Sequence, residues 1–140
     1  MTQGPTVLYP MFALVGWTFL MSLVMVRSAY RAVGEGLPVS YFRHGRGAKP
    51  PEYMLSAYQH FTNLFEMPVL FYAAVITLYA TGQGDALPTG LCWAYVAARS
   101  VHSVLHLRNT NVPRRRDAFF VSVGLLFAIW LLLFLRMLSA

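Results

Sequence analysis

Four apolar stretches divide this chain, and each is about as long as a membrane-spanning helix. They cover residues 7–29, 54–79, 90–107 and 118–138. A helix needs about 20 apolar residues to cross the hydrocarbon core of a bilayer. Charged residues make up only 11% of the sequence, whereas soluble domains carry about 25%. The sequence therefore predicts an all-α integral membrane protein with a single domain, a bundle of four transmembrane helices.

The basic residues of the predicted loops lie in residues 32–51 and 108–117, whereas the turn at residues 81–85 has none. By the positive-inside rule these two loops face the cytoplasm and both termini lie on the opposite side, and we expect a bacterial inner membrane. The net charge of +6 thus indicates topology and local binding, not a nucleic-acid surface. No basic segment precedes the first stretch, which we interpret as a true span and not a cleaved signal.

Glu66 and Arg99 are charges deep within apolar stretches, where an ionisable residue needs a partner or a function. Each belongs to a polar stripe: Gln59, Asn63 and Glu66 at i, i+4 and i+7, and Arg99, His102 and His106 at i, i+3 and i+7. A short turn makes the two helices antiparallel neighbours, so we predict that the stripes meet and that Glu66 pairs with Arg99. The alternative is that this pair only fixes the helix register. Pro68 should kink the second helix just past Glu66.

Arginines gather at the predicted cytoplasmic end of these stripes, at Arg108 and residues 114–116. Guanidinium groups in a partly dehydrated site bind carboxylates and can hold a thiol as thiolate. A small anionic thiol would suit such a site, with an apolar partner arriving from the bilayer; alternatively, the arginines hold anionic lipid headgroups. Arg27 and Arg31 share a helix face, and they either extend to the headgroups or turn toward an anionic ligand.

Metal binding is the less favoured chemistry for the polar stripe of the third helix. His102 and His106 are four residues apart and could reach one ion. The sequence contains no H-E-x-x-H pattern and no carboxylate near these histidines, so we expect no metal site. Cys92 is the only cysteine and cannot form an intrachain disulfide.

Two sequence blocks carry a family resemblance. They are Asn63-x-x-Glu66 followed by Pro68, and Arg99-x-x-His102 with His106, Pro113 and Arg115-x-x-x-Phe119-Phe120. The chain resembles the membrane-associated proteins in eicosanoid and glutathione metabolism (MAPEG), with a pattern closest to the microsomal glutathione transferases and prostaglandin E synthase. The resemblance covers essentially the whole chain. It implies a homotrimer of four-helix protomers that binds glutathione between neighbouring protomers on the cytoplasmic side.

The resemblance also implies roles for individual residues. Arg115 would be the catalytic residue that stabilises the thiolate. The cofactor-binding set would be Asn63, Glu66, Arg99, His102, His106 and the first-helix arginine, either Arg27 or Arg31. The chain departs from the family pattern in three places. His106 stands where a tyrosine is usual, and residues 58–60 replace an arginine that many glutathione-using members carry. A hydroxyl-bearing aromatic that some members show near Phe119 is also absent.

Two functions follow as hypotheses. The first is an enzyme that conjugates glutathione to lipophilic electrophiles, or reduces lipid hydroperoxides with it. The second is a non-catalytic trimeric scaffold, or a lipid-binding accessory subunit of the same fold. The residues replacing the arginine favour the second hypothesis, and Arg115 favours the first.

Overall fold

The structure, a computed structural model, describes residues 5–109 and 111–139, most of which form helices. A 3-10 turn, Pro5–Leu8, leads into helix α1, and the first loop contains the short helix α2. The helices are α1 (Tyr9–Gly34), α2 (Tyr41–His44), α3 (Glu52–Asn63), α4 (Met67–Ala80), α5 (Ala86–Arg108) and α6 (Val112–Leu138).

Local sequence explains where several helices begin and end. Helix α3 begins at Glu52 after Pro51 in extended conformation, as the Pro-Pro-Glu sequence predicts. Helix α5 ends at Arg108, and the next residue, Asn109, has a left-handed φ of 46°, a conformation that asparagine tolerates well. Asn111 then caps α6, because its side-chain oxygen accepts a hydrogen bond of 3.0 Å from the backbone N–H of Arg114.

The second apolar stretch is interrupted, and the interruption lies at residues 64–66 instead of just past Glu66. Proline has no N–H, and its ring clashes with the carbonyl four residues earlier, here that of Leu64. Helix α4 starts one residue before Pro68, while Glu66 has a non-helical ψ of −96°. The continuous helix with a kink that the sequence predicted is therefore two helices.

Within residues 5–109 and 111–139, three helical segments are long and apolar enough to cross a membrane: Pro5–Gly34, Glu52–Ala80 and Val112–Leu138. Helix α5 is not among them, although its 23 residues span about 35 Å at 1.5 Å per residue. Its stripe of basic and imidazole side chains makes it more polar than the others. Arg99, His102 and His106 are nevertheless buried within the protomer, so they do not face lipid.

Helix α5 occupies the centre of the bundle, packing against α6, α1 and α3. One apolar core surrounds its first half, where the rings of Phe71 and Tyr95 stack with centroids 4.5 Å apart. A smaller apolar cluster of Ala32, Leu37 and Met54 lies near the first loop. Between the two, along the helices, lies a layer of buried polar side chains.

The outer surface is rich in large apolar side chains. Phe19, Leu23, Phe127 and Phe134 each expose more than half of their surface. Soluble monomers rarely expose extended apolar patches, whereas the hydrocarbon core of a bilayer favours them. The exposed apolar surface agrees with the membrane-spanning segments.

Candidate functional site

The buried polar layer contains three of the eight site residues that the sequence predicted, namely Arg99, His102 and His106. Its fully or nearly fully buried members are His60, Arg99, His102, Ser103 and His106. All except His60 lie on α5, which presents them on one face, as the i, i+3 and i+7 spacing predicted. The layer lies toward the end of the bundle where the 32–51 and 108–117 loops emerge.

Arg99 is completely buried, and its Nη2 donates a hydrogen bond of 3.0 Å to the backbone carbonyl of Asn63. In a continuous helix that carbonyl would accept from the N–H of Met67. The interruption before Pro68 releases it, and Arg99 takes the place of the missing donor. Nε and Nη1 of Arg99 have no hydrogen-bond partner within the described chain.

The predicted ion pair between Glu66 and Arg99 does not form within the described protomer. The three ion pairs of the described residues join Arg31 to Glu35, Arg116 to Asp117 and Arg136 to Asp85. Glu66 is instead exposed, at the position immediately before α4. The i+7 relation to Gln59 requires an unbroken helix, and α3 ends at Asn63.

The polar stripe predicted on the second helix does not face α5 in the protomer, because Gln59 and Glu66 are exposed. Gln59 is exposed, whereas its neighbour His60 is 1% exposed and packs against α5. The interior face of α3 includes Ser56 and His60, and the buried Leu64 just past the end of α3 continues the i, i+4 and i+8 spacing. That periodicity is visible in the sequence, and it could have identified His60 as an interior residue.

Three imidazoles converge at the centre of the layer. The ring centroid of His60 lies 6.3 Å from that of His102 and 5.3 Å from that of His106. The rings of His102 and His106 are 5.6 Å apart. Helical spacing in the sequence pairs His102 with His106 only, whereas His60 comes from another helix and joins them through the tertiary structure.

Arg115 lies beside this layer at the α5–α6 corner. Its Nη1 donates a hydrogen bond of 2.9 Å to Oδ1 of Asn109, and its backbone carbonyl lies 3.1 Å from Nδ1 of His102. Arg115 is half-buried, whereas Arg114 and Arg116 are exposed. The structure thus brings the side chain of His102 against the main chain of Arg115 at this corner.

The first-helix arginines are both exposed in the protomer and so are not members of the buried polar layer. Arg31 makes an ion pair of 2.8 Å with Glu35, and its guanidinium lies 4.6 Å from the centroid of the Tyr53 ring. Arg27 makes no ion pair among the described residues. Of the two, Arg27 is therefore the one whose charge is not already engaged by a carboxylate of its own protomer.

An apolar groove of about 290 Å³ opens between α1, α2 and α3. Its lining residues are Val26, Ala29, Tyr30, Val33, Val39, Phe42 and Tyr58. The groove contains no charged residue in its lining, and it borders the exposed arginines at the end of α1. Its composition suits a hydrocarbon chain and not a charged peptide.

Three apolar helical segments and a buried polar layer define a helical integral membrane protein. A model of the MAPEG family matches residues 7–135, nearly the whole chain, and the protein belongs to that family. Its members are membrane proteins linked to glutathione and eicosanoid metabolism. Searches among curated proteins and among solved structures found no match.

Proposed function

We propose that the protein is a membrane-bound glutathione transferase or peroxidase that acts on lipophilic electrophiles. In this proposal Arg115 stabilises the glutathione thiolate, and the position of its side chain is the observation that supports this role. Its guanidinium is held at the α5–α6 corner by Asn109, half-buried and next to the polar layer. A cation in a partly desolvated site lowers the pKa of a thiol and raises its thiolate fraction at neutral pH.

The remaining cofactor contacts follow the family pattern. Asn63, with Arg27 or Arg31, positions the peptide, and His102 lies behind Arg115 through their backbone contact. Arg99 contributes two guanidinium nitrogens, Nε and Nη1, without partners in the described protomer, which suits it to a carboxylate of the ligand. In this arrangement Glu66 and His106 flank the site and do not stabilise the thiolate.

The assembly we propose is a homotrimer of four-span protomers with glutathione at the cleft between neighbours. Glu66 is exposed on the protomer although it lies within the Glu52–Ala80 segment. A carboxylate facing hydrocarbon is costly, and a neighbouring protomer would cover it. Helix α5 would be the fourth span because its polar face is buried. The 32–51 and 108–117 loops would face the cytoplasm, with both termini on the opposite side of a bacterial inner membrane.

The test uses purified protein with glutathione and an aryl halide. We expect conjugation above the uncatalysed rate and a rise in melting temperature with glutathione. Arg115→Ala should lower turnover by about 10²-fold or more, the scale of losing a charge-stabilising donor. Arg116→Ala is the matched control, since Arg116 is adjacent, exposed and paired with Asp117. If the unmodified protein shows no turnover and no glutathione-dependent rise in melting temperature, the proposal is refuted.

A second function is favoured by the groove between α1, α2 and α3. Its apolar lining could hold a lipid acyl chain, and residues 58–62 contain no arginine. The protein would then be a non-catalytic trimeric scaffold or a lipid-binding accessory subunit. In that case Arg115→Ala leaves function unchanged, whereas Glu66→Ala breaks the assembly, which size-exclusion chromatography in detergent would detect. Co-purified phospholipid would support this function, and bound glutathione would contradict it.

A further inference from the structure

We propose that His60, His102 and His106 form a binding site for one late transition-metal ion of the zinc type. The candidate ligand nitrogens of the three residues all lie within 4.8 Å of one another. Two come from one face of α5 and the third from α3. The site goes beyond the proposed glutathione chemistry and does not depend on it.

Burial is the first argument for a ligand. The three side chains are 1%, 3% and 5% exposed, and buried polar groups almost always have hydrogen-bond partners. Here both ring nitrogens of His60 and of His106, together with Nε2 of His102, have none within the described chain. The protein thus holds converging imidazole lone pairs away from water. A metal ion would satisfy one from each ring.

The tautomer of His102 is the second argument. Its Nδ1 lies 3.1 Å from the backbone carbonyl of Arg115. A carbonyl only accepts, so Nδ1 carries a proton, and in the neutral imidazole Nε2 then presents its lone pair. Metal-binding histidines commonly donate their second ring N–H to a backbone carbonyl in this way, which orients the ring and strengthens the ligand. His102 is therefore already arranged as an Nε2 ligand.

The distances allow the site to close. Tetrahedral zinc with Zn–N bonds of about 2.0–2.1 Å requires ligand nitrogens about 3.3 Å apart. The separation of up to 4.8 Å must therefore shrink by about 1.5 Å at most. Small rotations of the imidazoles about their side-chain bonds supply a movement of that size, without a change in either helix.

The surrounding charge determines the fourth ligand. Arg99 lies on the same face of α5 as His102 and is fully buried. Three neutral imidazoles do not offset the charge of a divalent ion beside a guanidinium. Three protein ligands also leave one tetrahedral position open. We therefore expect an anion from solvent, chloride or hydroxide, to complete the coordination.

The test is titration of the purified full-length protein with Co²⁺, which reports its geometry through visible absorption. The protein carries no histidine tag and no glutathione is added. We expect one Co²⁺ per chain, with the intense bands of tetrahedral cobalt, and displacement by Zn²⁺. His60→Ala, His102→Ala and His106→Ala should each weaken binding by at least about 100-fold, since even the loss of an outer partner costs 10–100-fold.

His44→Ala is the matched control, because His44 is exposed on α2 and is the only other histidine. This variant should bind Co²⁺ as tightly as the unmodified protein does. Should an alanine variant fail to fold, His60→Gln keeps a polar side chain in place. The Co²⁺-dependent rise in melting temperature should be present in the unmodified protein and absent in His60→Gln. Binding below one equivalent, octahedral cobalt spectra, or binding retained by the cluster variants would each overturn the site. A protein that binds cobalt but not glutathione would refute only the proposed function.

Discussion

Replacing Arg99 with methionine tests whether the buried guanidinium is an ion-pair partner or a cap for a broken helix. In the structure Arg99 is fully buried, and its guanidinium makes one hydrogen bond among the described residues, to the carbonyl of Asn63. Its Nε and Nη1 have no partner in the described protomer. Methionine keeps the length and apolar character of the stem and removes the charge.

The magnitudes follow from these contacts. A hydrogen bond to a charged group contributes about 1.5–3 kcal/mol, which Arg99→Met loses. Two unpartnered buried donors cost about 1–3 kcal/mol each, and the substitution removes both. Methionine also leaves the carbonyl of Asn63 without its donor, which costs about 1–3 kcal/mol. At central values the terms roughly cancel, so the free energy of unfolding should change by about 1 kcal/mol or less. If Arg99 were paired with Glu66, breaking the pair would cost about 3–5 kcal/mol.

The assay is reversible unfolding in mixed micelles, followed by the fluorescence of the three tryptophans, without glutathione. Arg43→Met, on the exposed helix α2, is the control for loss of a positive charge. A double-mutant cycle of Arg99→Met with Glu66→Gln should give a coupling energy below about 0.5 kcal/mol, as for residues not in contact. Destabilisation of 3 kcal/mol or more by Arg99→Met, together with strong coupling to Glu66, would refute the capping role.

Two further predictions concern Phe71 in the apolar core and Glu35 just after α1. Phe71→Ala should lower the free energy of unfolding by about 3–5 kcal/mol, because Phe71 is fully buried and stacked on Tyr95; Phe65→Ala, on an exposed side chain, should change it by less than about 0.5 kcal/mol. Equal effects in the two variants would contradict the assigned core. The hydroxyl of Tyr53 and the guanidinium of Arg31 lower the pKa of the Glu35 carboxyl. A lowered pKa means that this contribution to stability is complete above the ordinary pKa of about 4.3 and is lost as pH falls through the folded value. Glu35→Gln should therefore lower the melting temperature at pH 7, and the difference from the unmodified protein should vanish in acid; a difference independent of pH would exclude the carboxylate as its source.

Local signals in the sequence predicted much of the helical structure. The apolar stretches correspond to helices, Pro51 and Glu52 mark the start of α3, and the two blocks around Asn63 and Arg99 identified the family. These features depend on neighbouring residues or on whole-chain patterns, which is why they can be recognised without coordinates. The number of spans and the trimer remain predictions, because α5 is more polar than a typical span.

The side-chain partners could not be predicted in the same way. The pairing of Glu66 with Arg99 assumed that helical spacing continues past Asn63, and the break before Pro68 removes that continuity. Beyond a break, the direction of a side chain depends on three-dimensional backbone angles and not on residue counting. The carbonyl released by the break became the partner of Arg99.

By itself, the sequence determined the membrane environment, the helical segments and the family, because hydrophobicity and short motifs are encoded residue by residue. Only the tertiary structure decided which polar side chains share the interior. It turned His60 inward and Gln59 outward on α3, and it brought His60 to the two histidines of α5. That arrangement depends on the rotation of one helix against another, which packing sets and the polarity of individual residues does not.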